Sequence, residues 1–218
     1  MPIKYFRSLI ICFLWVVLAG CGTEYGHYQD NNMIGTVQHV DLDQNVIEVD
    51  ISEWSKRDIR GGIDDYGVAL SIEQTDQLVI KNEDGTMSDI DQLKLGQKVL
   101  INPPKTKNNS NYEAREVMLM EMTFKEKYKT LLSNRKESYR TTVWETEEHP
   151  LQPETREKLM GLLSESPIGF GAFPSGYVVD FKKELEIEQF PVMLVFDYKG
   201  LVFKTYDADE LASFFGSQ

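Results

Sequence analysis

Phe190-Pro191-Val192-Met193-Leu194-Val195-Phe196, then Asp197-Tyr198-Lys199-Gly200, then Leu201-Val202-Phe203-Lys204-Thr205, is the stretch that decides the fold of the C-terminal part of the chain. Its first seven residues carry no polar side chain and read as a strand buried on both faces. Pro191 fits only at the entrance to that strand, because proline has no N–H to give to a sheet ladder. Asp197 to Gly200 supplies a tight turn, so Leu201 to Thr205 is the returning strand of a hairpin. Asp207 followed by Glu210 has capping-box spacing for a closing helix through Phe215.

Upstream of this core, Tyr139 to Trp144 is rich in β-formers. Gln152 to Glu165 predicts a helix, with Pro153 near its first position, an acidic first turn, and Leu159, Leu162 and Leu163 at helical spacing. Gly169 to Gly176 reads as a loop and Tyr177 to Phe181 as a strand. Over residues 187–215 the order of proline-led strand, turn, edge strand and capped helix resembles the C-terminal half of the thioredoxin fold. That resemblance implies a cis peptide bond before Pro191, facing the place where the family holds its redox cysteines. Here the two part company: Glu147-Glu148-His149-Pro150-Leu151-Gln152, before the first long helix, holds no thiol, and residues 22–218 contain no cysteine. Thiol exchange requires a thiolate, so this chemistry is excluded by inventory. The surface near Pro191 is left as a place where an extended peptide could pair.

The N-terminal half has period-two patterning instead. Ile34 to Val40, the polar turn Asp41-Leu42-Asp43-Gln44-Asn45, and Val46 to Ile51 read as strand, turn and strand. Leu78-Val79-Ile80 is a third strand, Gln97 to Ile101 a fourth entered through Gly96, and Ala114 to Met122 a fifth. Five short strands with a small element at Ile90 to Gly96 predict an OB-like five-stranded β-barrel. The motifs Gly35-x-Val37, Val46-x-x-Val49, Leu93-x-x-Gly96-Gln97-Lys98-Val99 and the strand from Glu113 to Glu121 resemble the YobA-like domain of unknown function. That domain occurs in short lipoproteins of Gram-positive bacteria and brings no established chemistry. The expected fold class is therefore α+β: an OB-like barrel over residues 33–122, a linker helix over 123–138, and a thioredoxin-like α/β domain over 139–218.

Residues 1–32 give an address. Lys4 and Arg7 form a positive start, Leu9 to Val17 is a short apolar run broken only by Cys12, and Leu18-Ala19-Gly20-Cys21 follows. The run is too short to span a bilayer, which takes about 20 apolar residues. Positive start, apolar run and small residues make residues 1–20 a secretory signal peptide. Leu-Ala-Gly-Cys resembles the lipobox of bacterial lipoproteins, which implies diacylglycerol on the Cys21 sulfur, with acyl chains such as palmitate, and cleavage before that residue. Residues 21–32 become a lipidated tether whose extended reach is roughly 35 Å. The expected location is the extracytoplasmic face of the cell membrane.

Composition limits partners. The chain carries 23 basic and 35 acidic residues, and cleavage before Cys21 removes Lys4 and Arg7 and no acid, leaving a formal charge of −14. Such a chain is repelled by phosphate polymers, so nucleic acid is not expected as a partner. No cofactor motif occurs. Asp41-x-Asp43-x-Asn45 opens like a calcium loop, but Val46 and Ser52 stand where its glycine and glutamate should be, so it reads as a polar turn. His27, His39 and His149 are scattered and lack metal-ligand spacing, and Ser175 lacks the flanking glycines of a nucleophile elbow. The long segment Ser52 to Gln77 concentrates Trp54, Lys56, Arg57, Arg60 and Tyr66, residue types favoured as binding anchors. These features predict a non-catalytic binding or scaffolding role, with an envelope protein or wall component as partner. The rival readings are a carboxylate-dependent hydrolase of a wall polymer, which needs two converging carboxylates, and a binder of a small ligand, which needs a sizeable apolar pocket.

Overall fold

A computed structural model of the chain describes residues 33–56, 66–105, 112–162 and 166–217. The expected signal peptide, the expected tether with Cys21, and Arg57 and Arg60 of the expected binding loop lie outside the described residues. The architecture is α+β with two mixed sheets, one of six strands and one of four, and the chain divides into two compact units. The first unit holds residues up to Asp91 together with Val99–Leu119; the second gathers Gln92–Lys98 with Met120–Gln218.

In the first unit, β1 (Met33–Asp41) and β2 (Val46–Asp50) form the expected hairpin, and Val37 and Val49 face each other in its register. Its turn is closed locally, because one Asp41 carboxylate oxygen accepts the amide N–H groups of Asp43 and Gln44. Asn45 takes a positive φ of 54°, which asparagine tolerates better than most residues. A one-turn helix α1 (Ser52–Lys56) follows, then β3 (Ala69–Glu73), β4 (Val79–Asn82), a single 3₁₀ turn at Ile90–Gln92, β5 (Lys98–Asn102) and β6 (Glu116–Leu119). The sheet order is β3-β2-β1-β5-β6-β4, with β4 parallel to β6.

Two expectations are corrected here. Among the described residues the sheet has six strands, and no closed barrel is formed. Residues 69–73, expected inside a long insertion, pair in full register with β2. Their alternation of exposed Ala69, Ser71 and Glu73 with buried Leu70 and Ile72 is the signal that the sequence reading passed over.

The second unit is built around β9 (Val192–Phe196), all five of whose residues are at most 1 % exposed. A strand alternates its side chains between two faces, and β9 serves two cores. Val192, Leu194 and Phe196 join Tyr128, Leu131, Trp144 and Phe181 on one face; Met193 and Val195 join Val143, Leu159, Leu211 and Phe215 on the other. Burying one such side chain contributes about 1.5–3 kcal/mol, which makes β9 the structural spine. Antiparallel to it run β7 (Arg140–Glu145) on one side and β10 (Leu201–Thr205) on the other. The far edge is β8 (Ile168–Ala172), parallel to β7. The helices are α2 (Phe124–Lys127), α3 (Pro153–Met160), α4 (Phe181–Glu184) and α5 (Ala208–Gly216).

The departures from expectation in this unit have local causes. The Gly169 to Gly176 stretch is not all loop, since Gly169 and Gly171 are strand residues of β8, held by pairing with β7 rather than by propensity. The expected strand Tyr177 to Phe181 is instead a single bridge at Tyr177 followed by α4, because the Asp180 carboxylate accepts the Lys183 N–H and starts a helix. The expected linker helix is one turn long, and Tyr128, Leu131 and Leu132 beyond it are buried in the core of the unit. At α5, Asp207 accepts the Asp209 N–H, while Glu210 accepts the Thr205 hydroxyl, so the reciprocal capping box does not form.

Residues 92–98 are clamped onto the same unit. Leu95 N–H donates to the Gly176 carbonyl at 3.1 Å and Val178 N–H to the Leu95 carbonyl at 2.7 Å. Gly96 has φ +77°, and a Cβ there would lie 2.2 Å from Tyr177 Cε2. Only glycine fits. Among the described residues no helix is long and apolar enough to cross a membrane.

Candidate functional site

Where β7 and β8 end and β9 begins, the second unit gathers its most distinctive side chains. Register sets Trp144 opposite Val192 on one side and Gly171 on the other, and Glu145 opposite Ala172. The Phe173 N–H then donates to the Glu145 carbonyl at 2.8 Å, which carries the pairing one residue past β8. Trp144 is buried; its ring meets Phe173 edge-on at 5.6 Å and Phe181 at 5.2 Å. Phe173 in turn lies 5.0 Å from Phe190, and both are half-buried. An aromatic row thus runs from the core to the surface beside Pro191. The Phe190–Pro191 peptide bond is cis, as is Asn102–Pro103.

The loop that follows β7 is fixed by one carboxylate. Glu145 Oε2 accepts the Leu151 N–H at 2.6 Å, while Oε1 pairs with Arg156 Nη2 at 3.0 Å. The Arg156 guanidinium also lies 4.7 Å from the Phe170 ring centre, a cation–π distance. Between these ties, Thr146 and His149 exchange backbone hydrogen bonds, and the Thr146 hydroxyl accepts the His149 N–H at 3.1 Å. Pro153 then opens α3, and the preceding Gln152 makes no side-chain cap.

Chemically, this end of the sheet presents apolar surface and backbone. Both Glu145 oxygens are engaged in holding the loop. Glu147 and Glu148 are exposed. No thiol exists anywhere in residues 22–218. Among the described residues, no group of three or more His, Cys, Asp or Glu side chains could hold a metal ion.

The five residues expected to form a binding loop behave differently from one another. Trp54 is 5 % exposed, with α1 packed against β1, so it serves the core instead of presenting a ring to a partner. Lys56 donates to the Tyr66 carbonyl and lies 4.4 Å from the centre of the Tyr66 ring. Tyr66 itself is exposed. The base of the segment is cinched: the Asp50 carboxylate accepts from the Ser52 N–H, and the Ser52 hydroxyl accepts the Val68 N–H at 2.8 Å. Arg57 and Arg60 lie outside the described residues.

Neither the Glu145–Arg156 pair nor the role of Phe173 is legible in the sequence. Their separation by 11 residues of loop and helix leaves the pair without a local motif, and Phe173 stood in an apparent glycine loop. By contrast, Thr123-Phe124-Lys125-Glu126 carries the capping-box signature, and the structure forms the box in both directions. Glu126 also binds Lys98 Nζ at 2.6 Å, and this ammonium, with the Thr123 donors, holds its carboxyl down to about 2. Burial and the Glu184 carboxylate hydrogen-bonded to its hydroxyl push the Tyr128 phenol well up.

No family model matches the chain, and a search of curated proteins finds no relative. The functional reading rests on the residues themselves.

Proposed function

We propose that this protein is a lipoprotein anchored through Cys21 to the extracytoplasmic face of the cell membrane, and that it binds an extended segment of an envelope protein without catalysing a reaction. The observation that carries the binding claim is the half-buried Phe173–Phe190 pair beside Pro191, 5.0 Å apart, at a sheet end where Glu145 is engaged in holding the following loop. Half-exposed aromatics give an extended peptide apolar anchoring area, and backbone at a strand entrance gives it pairing groups.

Two finer readings of the fold accompany this proposal. The second unit is thioredoxin-like, a reading supported by the chain order β7-α3-β8-α4-β9-β10-α5 and the sheet order β8-β7-β9-β10. The first unit is OB-like and related to the YobA-like domain. That reading is supported by the end strands β3 and β4 being consecutive in sequence, so one bent segment, interrupted only at Gln74–Leu78, supplies both ends of the sheet. Cysteine-free residues 22–218 separate the thioredoxin-like shape from thiol chemistry.

Panning a random peptide library on the lipid-free mature chain is the test. Selected peptides should bind the wild type and lose at least tenfold in affinity to Phe190→Asp, and insulin reduction should stay at the blank rate. Peptides that bind Phe190→Asp undiminished would sink the site. Reduction or hydrolysis of wall polymer above blank would sink the non-catalytic reading.

A further inference from the structure

The acidity of the chain hides one basic face. Thr123 to Ser138, together with the turn Asp197 to Gly200, contains Lys125, Lys127, Lys129, Arg135, Lys136 and Lys199 against Glu126, Glu137 and Asp197. These residues carry a formal +3, while the rest of the chain, with 17 basic and 32 acidic side chains, carries −15. The two segments are adjacent in space. Ser133 N–H donates to the Asp197 carbonyl at 3.1 Å, and a Cβ on Gly200 would stand 3.8 Å from Phe124 Cζ. The stretch from Phe124 to Ser133 therefore meets the turn at both of its ends.

Glu137 is exposed, and the Glu184 carboxylate, which borders this face, accepts the Tyr128 hydroxyl at 2.7 Å. Glu126 is held by Lys98 and the Thr123 cap, and one Asp197 oxygen accepts the N–H groups of Lys199 and Gly200. Lys125, Lys129, Arg135, Lys136 and Lys199 are exposed, and Lys127 is partly so. Among these cations stands Phe124, half exposed and stacked on the buried Tyr128 ring at 4.4 Å. A rigidly backed, half-exposed aromatic in a lysine-rich stretch suits a boundary between charged head groups and acyl chains.

We infer that this face docks on the anionic phospholipid head groups of the membrane that carries the anchor. The inference rests on the reading of Cys21 as a lipid attachment site, which keeps the chain at the bilayer. A basic cluster is drawn to an anionic leaflet over about a Debye length, roughly 8–10 Å. Charges more than a Debye length from the contact are largely screened. The exposed aromatic favours lipid over a soluble polyanion, because a polymer in solution offers no acyl boundary for Phe124.

The test uses residues 22–218 without lipid, so binding does not depend on the anchor. The protein should cosediment with phosphatidylglycerol-containing vesicles, ignore pure phosphatidylcholine, and be released by high salt. Each cation near the surface contributes about a fivefold factor, so Lys125→Gln/Lys136→Gln should weaken partitioning about 25-fold. Phe124→Ser should weaken it further, and Lys158→Gln, an exposed cation on α3, which packs on the other face of the sheet, should change it less than about twofold. Failure to bind anionic vesicles overturns the inference, as does equal weakening by Lys158→Gln. Patch-dependent binding to a soluble phosphodiester polymer with vesicles ignored also overturns it. The anchor is read separately, by whether Cys21→Ser releases the protein from cell membranes.

Discussion

Replacing Gly96 by alanine should destabilise the second unit by roughly 2–5 kcal/mol, the sum of a backbone cost and a steric one. At φ +77° an L side chain adopts a left-handed conformation that costs about 1–2 kcal/mol. The new Cβ would also lie 2.2, 2.3 and 2.6 Å from three atoms of the Tyr177 ring, a separation at which something must move. The ring has little freedom: it stacks on Phe181 at 5.1 Å, and its hydroxyl meets the Lys127 carbonyl at 3.5 Å. Forced rearrangement of such packing typically adds about 1–3 kcal/mol. Urea unfolding followed through Trp144, in a Trp54→Phe background, reads the second unit. A double-mutant cycle with Tyr177→Ala should return a coupling of about 1–3 kcal/mol, because removing the ring removes the clash and leaves only the backbone cost. A loss below about 0.5 kcal/mol for Gly96→Ala, or no coupling to Tyr177, would refute the reasoning.

Other outcomes follow from the same physical features. Gly35→Ala should cost about 1–3 kcal/mol in thermal or urea unfolding, because its Cβ would meet Val49 Cγ1 at 2.4 Å and the Asp50 carbonyl at 2.9 Å. A fragment of residues 139–218 should give an unfolded NMR spectrum, since it lacks buried Tyr128, Leu131 and Leu132, and losing one large core side chain alone costs about 2–5 kcal/mol. Glu126 should titrate near 2 by NMR, and Lys98→Met should move its midpoint upward. Because its folded-state value is depressed, its contribution to stability is fully present above the ordinary carboxylate range near 4.5 and is lost as pH falls from there towards 2.

Legibility in the sequence followed the reach of each interaction. β9, its turn and β10 were readable because a run of apolar residues, a proline and a glycine turn carry their meaning locally. The β1–β2 hairpin was readable for the same reason. β8 was not, because a strand of sequence Ile-Gly-Phe-Gly-Ala has poor intrinsic preference and exists through its parallel pairing with β7. Residues 69–73 were hidden inside a segment judged by its charged neighbours. Of the candidate site, Pro191 could be named from sequence, whereas the Phe173–Phe190 contact and the Glu145–Arg156 pair join residues 17 and 11 positions apart and have no local signature. Net charge misled most directly: a total of −12 concealed two adjacent segments that together carry +3, because charge acts over a Debye length and not over a chain.

The binding claim is tested most directly in intact cells, by photo-crosslinking from single sites in the full-length lipidated chain. A photoreactive phenylalanine analogue at position 190 or 173 should form adducts with an envelope protein, and the same analogue at exposed Tyr66 should form none. Adducts at position 66 with none at 190 or 173 would contradict the claim and return the binding role to the loop between α1 and β3.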